Sequence, residues 1–181
     1  LCGLSAESAK DYFADVDRLA RSGTRALGVA RSQDGQSWTL LGLLPMLDPP
    51  RPDAAETIAR AKELGVTVKM VTGDDVAIGS EISRQLGLGD HLLVASEVFG
   101  EDSNPDHIAI DAARAVEVAD GFGRVFPEHK FQIVKALQER GHIVAMTGDG
   151  VNDAPALKQA DCGVAVSGAT DAARSAAALI L

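Results

Sequence analysis

Residues 146–155 read Met-Thr-Gly-Asp-Gly-Val-Asn-Asp-Ala-Pro, a string in which two carboxylates, an amide and two glycines follow an apolar run. Residues 142–146 are mostly apolar and predict a buried strand. Gly148 and Gly150 flank Asp149, and without Cβ atoms the backbone there can turn sharply and approach a ligand. Asp153 and Pro155 fit a helix start, the Asp as cap and the Pro in the first turn. Strand, turn and helix together put Asp149 and Asp153 at the carboxyl edge of a parallel sheet, where open α/β folds hold their ligands. Two hard carboxylate donors and the Asn152 amide, with no thiolate or imidazole beside them, suit Mg²⁺ held together with a phosphate. A bare Gly-Asp-Gly would be an ordinary Asx-rich turn. The ten-residue string is a far more specific pattern.

Two other junctions carry complementary groups. Val71-Thr72-Gly73-Asp74 offers a hydroxyl and backbone N–H groups ahead of a helix, which suits a phosphate and also suits a plain helix cap. Pro127-Glu128-His129-Lys130 sets a cation in the first turn of a helix, where the macrodipole disfavours it and an anion facing it would explain it. Hydroxyl, ammonium and paired carboxylates at successive strand ends are what phosphoryl transfer to a carboxylate needs. The hydroxyl and N–H groups hold phosphoryl oxygens, the lysine offsets developing charge, and the carboxylates hold Mg²⁺.

The elements that must position these groups are short. Residues 5–21 predict an amphipathic helix capped by Ser5; Asp15 and Asp17 on it imitate a D-x-D nucleophile loop but sit mid-helix, on a solvated face. Residues 25–31 and 38–44 predict strands joined by an Asp34-Gly35 hairpin turn. Pro49, Pro50 and Pro52 make a semi-rigid joint. A helix follows it, with Asp53 and Glu56 placed for a capping box and Gly65 at its end. Strands are then expected at 67–71, 89–95, 121–126, 142–146, 162–166 and 178–181. Helices are expected at 75–86, 108–119, 127–140, just after residue 153, and at 170–175. Residues 100–106 read as a polar loop. From residue 66 onward this alternation predicts a parallel sheet covered on both faces.

At 181 residues the chain is long enough for one domain, or one domain and part of another. A chain of that size buries roughly 70% of its unfolded surface and needs no staples. A net charge of −9 argues against nucleic acid and anionic lipid as partners, while leaving room for ATP, since a few local cations and Mg²⁺ can dominate a small site. Cys2 and Cys162 show no metal spacing, which points to a reducing, cytosolic setting; the four histidines are scattered. No apolar run reaches the length of a membrane span. The chain opens on Leu1 and closes on an apolar segment, so both ends read as cut from something larger.

These motifs resemble the haloacid-dehalogenase superfamily and, more narrowly, the phosphorylation domain of P-type ATPases. The resemblance rests on Asp48-Pro49-Pro50-Arg51, Thr72-Gly73-Asp74, Lys130, and Thr147 through Pro155, and it extends over essentially the whole chain. Gly42-Leu43-Leu44-Pro45, residues 71–79, Val125-Phe126-Pro127-Glu128-His129-Lys130 and Thr170-Asp171-Ala172-Ala173-Arg174 look most like the plasma-membrane proton pumps. The resemblance implies a Rossmann-like α/β parallel sheet with helices on both faces at residues 47–181. It implies that residues 1–46 are a small α+β tail of the nucleotide-binding domain. It implies Mg²⁺ and ATP as cofactors, Asp149 and Asp153 at the metal and phosphate, Asn152 in support, and Thr72, Gly73 and Lys130 on the phosphoryl group. Asp48 and Arg51, with Asp74, Gly148 and Gly150, complete the cofactor-binding set it implies.

One departure matters. The family's phosphorylated aspartate lies in Asp-Lys-Thr-Gly-Thr, a string absent from this sequence. Asp75 and Ala178 are smaller departures, standing where an amide and an acidic residue are expected. The expected function is therefore that of a catalytic fragment of a proton-exporting pump, inactive by itself. Its expected place is the cytoplasmic face of the plasma membrane, and its expected partners are the missing N-terminal and membrane parts, with possible strand pairing to another chain. The other readings are a free-standing phosphatase of the same superfamily, for which no D-x-D follows a strand, and a non-catalytic module binding nucleotide or a partner.

Overall fold

A computed structural model describes residues 5–100 and 108–181; the loop expected at 100–106 lies, beyond Gly100, outside the described residues. The chain forms two compact units, one of residues up to Val68 with Asp75–Asp90, the other of Lys69–Asp74 with His91–Leu181.

In the first unit, helix α1 (Ala6–Arg21) starts as expected, with the Ser5 hydroxyl accepting the Ser8 N–H. Asp15 and Asp17 pair with Arg18 and Arg21 on its exposed side, as their mid-helix position predicts. Strands β1 (Arg25–Arg31) and β2 (Thr39–Met46) form an antiparallel pair with Leu27 opposite Leu44 and a bulge at Val29/Ala30. At the turn, the Asp34 carboxylate accepts the N–H groups of Gln36 and Ser37 and the Ser32 hydroxyl. The Ser37 and Gln36 N–H groups lead in lowering its pKa to about 2. Gly28 of β1 lies under Tyr12 of α1, where a Cβ would stand 2.6 Å from the phenolic oxygen. Helix α2 (Ala54–Glu63) corrects one expectation: Asp53 has helical backbone angles and no side-chain cap bond, so the capping box with Glu56 does not form. A cap residue must be extended for its side chain to fold back on the first turn; the Asp53 carboxylate instead meets Arg51 at 3.4 Å. In helix α3 (Val76–Gln85) the cap is made, Asp75 accepting the Ala77 N–H at 3.0 Å. Among the described residues, Leu88 is the one buried hydrophobic side chain of this unit.

The second unit is the α/β layer that the alternation predicts, and every strand pairing in it is parallel. Strands β3 (Met70–Val71), β4 (Leu92–Val94) and β5 (Gly121–Gly123) form one sheet in the order β3-β5-β4. Strands β6 (Ala145–Gly148), β7 (Cys162–Ala165) and β8 (Leu179–Ile180) form another in the order β6-β7-β8. Helices α4 (Ala95–Phe99), α5 (Ile110–Val118), α6 (Pro127–Glu139), α7 (Ala154–Gln159) and α8 (Asp171–Ala176) complete it, with a 3₁₀ turn at Val151–Asp153. The parallel strands thus form two three-stranded sheets, in which β3 and β6 are edges. Both strands are displaced or shortened against the sequence expectation of 67–71 and 142–146, and Ile143 is 92% exposed. An edge strand has ladder bonds on one side only, so less holds its ends extended.

Helix α6 ties the sheets together. It gives Ile133 and Ala136 to the core around Phe122 and Val116, and Val134 to a cluster with Val144 and Ala156. Gly121 is required by packing, since any Cβ there would run into the Met70 carbonyl of the neighbouring strand. The Lys69 ammonium closes the carboxyl end of α5 by donating to the carbonyls of Glu117 and Ala119. Among the described residues, no helix is long and apolar enough to cross a membrane.

Candidate functional site

Thr72 follows β3 directly. Its N–H donates to Phe122 in β5, its carbonyl accepts the Val125 N–H at 3.1 Å, and its hydroxyl oxygen accepts the Asp74 N–H at 3.1 Å. The hydroxyl thus closes a small turn and keeps its own proton to donate. The Asp74 carbonyl accepts the Arg124 N–H at 2.7 Å, and Arg124 has a φ of +52°. That left-handed backbone is unfavourable for an arginine and marks the turn after β5 as over-determined by its surroundings.

The same turn leads into α6. Phe126 is extended, Pro127 is the first helical residue, and Lys130 is the fourth, at the end of the first turn. The Lys130 ammonium lies 2.6 Å from Asp153 Oδ1, with both side chains mostly or fully buried. This is the anion that a cation near a helix N-terminus predicts, supplied here by the chain itself.

Asp153 is the centre of the third junction. Its Oδ2 accepts the N–H groups of Gly150 at 3.0 Å and Asp149 at 3.2 Å, while Oδ1 takes Lys130. Burial alone would raise its pKa; the Lys130 ammonium and the two N–H groups outweigh that and hold it below the usual carboxylate value. Asp153 therefore does not cap the helix that follows, which corrects the sequence expectation: it has helical backbone angles and no side-chain cap bond, and its oxygens point back into the loop. Pro155 does lie in the first turn of α7. Gly148 is where it is because a Cβ would come within 2.6 Å of Asp153 Cβ and 2.7 Å of its Cγ.

A continuous chain of bonds thus crosses the carboxyl ends of both sheets, from Thr72 through Val125 and α6 to Lys130, Asp153, Asp149 and Gly150. Gly73, Asn152 and Asp149 are exposed along it. The Asp149 carbonyl also accepts the Thr170 N–H at 2.8 Å, which ties the loop to α8. Asp48 and Arg51 belong to the other unit and are exposed there.

The donor chemistry suits a hard cation. Asp149 offers a carboxylate at the surface, whereas both Asp153 oxygens already accept protein donors, so Asp149 is the better placed of the two to hold Mg²⁺. Sequence reasoning passed over His129, which is buried under Phe126; its position at the third residue of α6 was the available signal. It also passed over Arg124, whose backbone strain no local pattern announces.

The profile of the haloacid dehalogenase-like hydrolases matches residues 5–161. A protein of Methanocaldococcus jannaschii named "Putative cation-transporting ATPase" is 53% identical over 181 residues, covering all of this chain and 22% of its own length. The crystal structure of a zinc-transporting PIB-type ATPase in its E2.Pi state superposes with a TM-score of 0.61 at 28% identity, over 95% of this chain and 23% of that one. The chain therefore spans less than a quarter of the length of either relative.

Proposed function

Because the chain belongs to the haloacid dehalogenase-like hydrolases, we propose that it is the phosphorylation domain of a cation-transporting P-type ATPase. In this reading residues 47–181 form that domain and residues 1–46 are the carboxyl-terminal part of the nucleotide-binding domain. The observation that carries it is the bonded chain from Thr72 to Asp149, which places a hydroxyl, an ammonium and a carboxylate at the ends of parallel strands. The names and coverage of the two relatives support it.

The acceptor of the γ-phosphoryl group of ATP is an aspartate carried on a part of the parent that this sequence lacks. Thr72 and the Gly73 backbone hold phosphoryl oxygens, and Lys130 offsets their charge. Asp153 sets Lys130 and the 149–150 N–H groups in place, with Asn152 beside it. Asp149 holds Mg²⁺, which when bound neutralises charge on the phosphoryl oxygens. Asp74, Gly148 and Gly150 shape the two turns, and Asp48 and Arg51 serve the nucleotide. The parent spans the plasma membrane with this segment on its cytoplasmic face.

We take the transported cation to be the proton, from the strings at 42–45, 71–79, 125–130 and 170–174. Measuring ATP-driven acidification by the parent in vesicles, against uptake of zinc, tests this choice. The central test is on the parent's phosphoenzyme. Lys130→Ala should slow its formation roughly 10²–10³-fold, the cost of losing one preorganised charge-stabilising group. A wild-type rate would make Lys130 a structural lysine and end this reading. A hydroxylamine-sensitive acyl-phosphate separates it from a non-catalytic module. The free-standing phosphatase reading is disfavoured because Asp15 and Asp17 lie on the exposed face of a helix.

A further inference from the structure

A lysine near a helix N-terminus gains nothing from the helix itself, so the Lys130–Asp153 contact directs attention to what holds the first turn of α6. The start of α6 is Phe126, whose backbone is gripped at both ends. Its carbonyl accepts the His129 N–H at 3.0 Å and the Lys130 N–H at 3.4 Å, and its own N–H donates to His129 Nδ1 at 3.2 Å. The His129 ring is 5% exposed, stacked on Phe99 with centroids 5.9 Å apart and tilted against Phe126 at 5.7 Å. The residue just before, Val125, donates to the Thr72 carbonyl, so the same turn fixes the hydroxyl side of the site.

We propose that His129 is a positioning residue for the phosphoryl site: its Nδ1 closes the start of α6 and thereby holds Lys130 on Asp153 and Val125 on Thr72. It fills the place that Glu or Gln takes in a capping box, three residues after the cap. The bond demands a lone pair on Nδ1, so the ring is the neutral tautomer with its proton on Nε2. A proton on Nδ1 would turn the acceptor into a donor facing an N–H group. Burial lowers the His129 pKa, against the opposing charge of Glu128, and so favours the neutral ring. The role in phosphoryl transfer rests on the function proposed above; the positioning itself does not.

The test compares His129→Gln, which keeps an acceptor, with His129→Leu, which keeps apolar bulk and no acceptor, in the 181-residue chain. Hydrogen exchange at the Phe126 amide reads the cap, and the ¹⁵N signal of the Lys130 ammonium, slowed in exchange by Asp153, reads the pair. Wild type and His129→Gln should show both. His129→Leu should lose protection at Phe126 roughly tenfold, the scale of a lost helix cap, together with the ammonium signal. Retention of both in His129→Leu, or their loss in a folded His129→Gln, overturns the proposal. Should His129→Leu fail to fold, the His129→Gln result decides it alone. Inorganic phosphate added with Mg²⁺ tests the site separately: an unmoved Lys130 signal in the wild type counts against the phosphoryl-site reading and leaves the Phe126 result standing.

Discussion

At Gly148 the missing side chain is a packing requirement, because Asp153 fills the space where a Cβ would go. Gly148→Ala should therefore push Asp153 away, release Lys130, and expose the N–H groups of Asp149 and Gly150. The expected cost is about 1–3 kcal/mol, as for other overpacking changes, read from urea unfolding. A variant with wild-type stability and an intact Lys130–Asp153 contact would refute the packing argument. The pair also sets a pH dependence. The Asp153 pKa is lowered on folding, so its contribution to stability is complete above the ordinary value of 3.8 and is lost as pH falls through the lower folded value. Lys130→Met removes the largest opposing charge, so the stability gap between it and wild type should narrow as pH falls below about 4. A gap that stays constant down to about pH 2 would show that the ion pair does not set the carboxyl's titration.

Among the elements, α6 and the β1–β2 pair are opposites. Helix α6 buries side chains on both flanks and is held at its start by His129 and beside it by Lys130. Strands β1 and β2 form a two-stranded sheet whose paired Leu27 and Leu44 are both exposed, with α1 packed on it where Tyr12 covers Gly28. A lone hairpin is marginal in water unless something packs on it. Amides of β1 and β2 should exchange at least about 100-fold faster than that of Phe122, which sits in the fully buried core. Equal protection in the two places would mean that the hairpin is stabilised by contacts this arrangement does not contain.

For the whole molecule, the decisive feature is that β3 and β6 each end a sheet, while their carboxyl ends carry Thr72 and Asp149. Edge strands with free N–H and C=O groups accept a further strand. On the function proposed above, the chain in isolation should show no phosphoenzyme and no ATP hydrolysis, because in that reading its groups position and neutralise but offer no activated nucleophile. In the same reading, a separate polypeptide bearing an Asp-Lys-Thr-Gly-Thr strand should protect amides at residues 145–148 and restore phosphate labelling. ATP hydrolysis by the chain alone, as a stable monomer, would defeat both the missing-nucleophile and the missing-strand arguments.

Strand-turn-helix order and the polar strings at the strand ends are local properties, written in periodicity, glycines and prolines, so the sequence by itself determined the α/β layering and the three junctions of the site. It likewise placed Asp15 and Asp17 on a solvated helix face and Ser5 as a cap, since each interaction closes within a few residues. Tertiary structure alone decided what each carboxylate does. Asp153 turned from helix cap to partner of Lys130, 23 residues away, and Asp53 gave up its cap for Arg51. The extent of β3 and β6 was also decided there. Strand length and sheet continuity depend on which neighbours offer ladder bonds, and a segment cannot signal a partner that lies far along the chain or is absent from it.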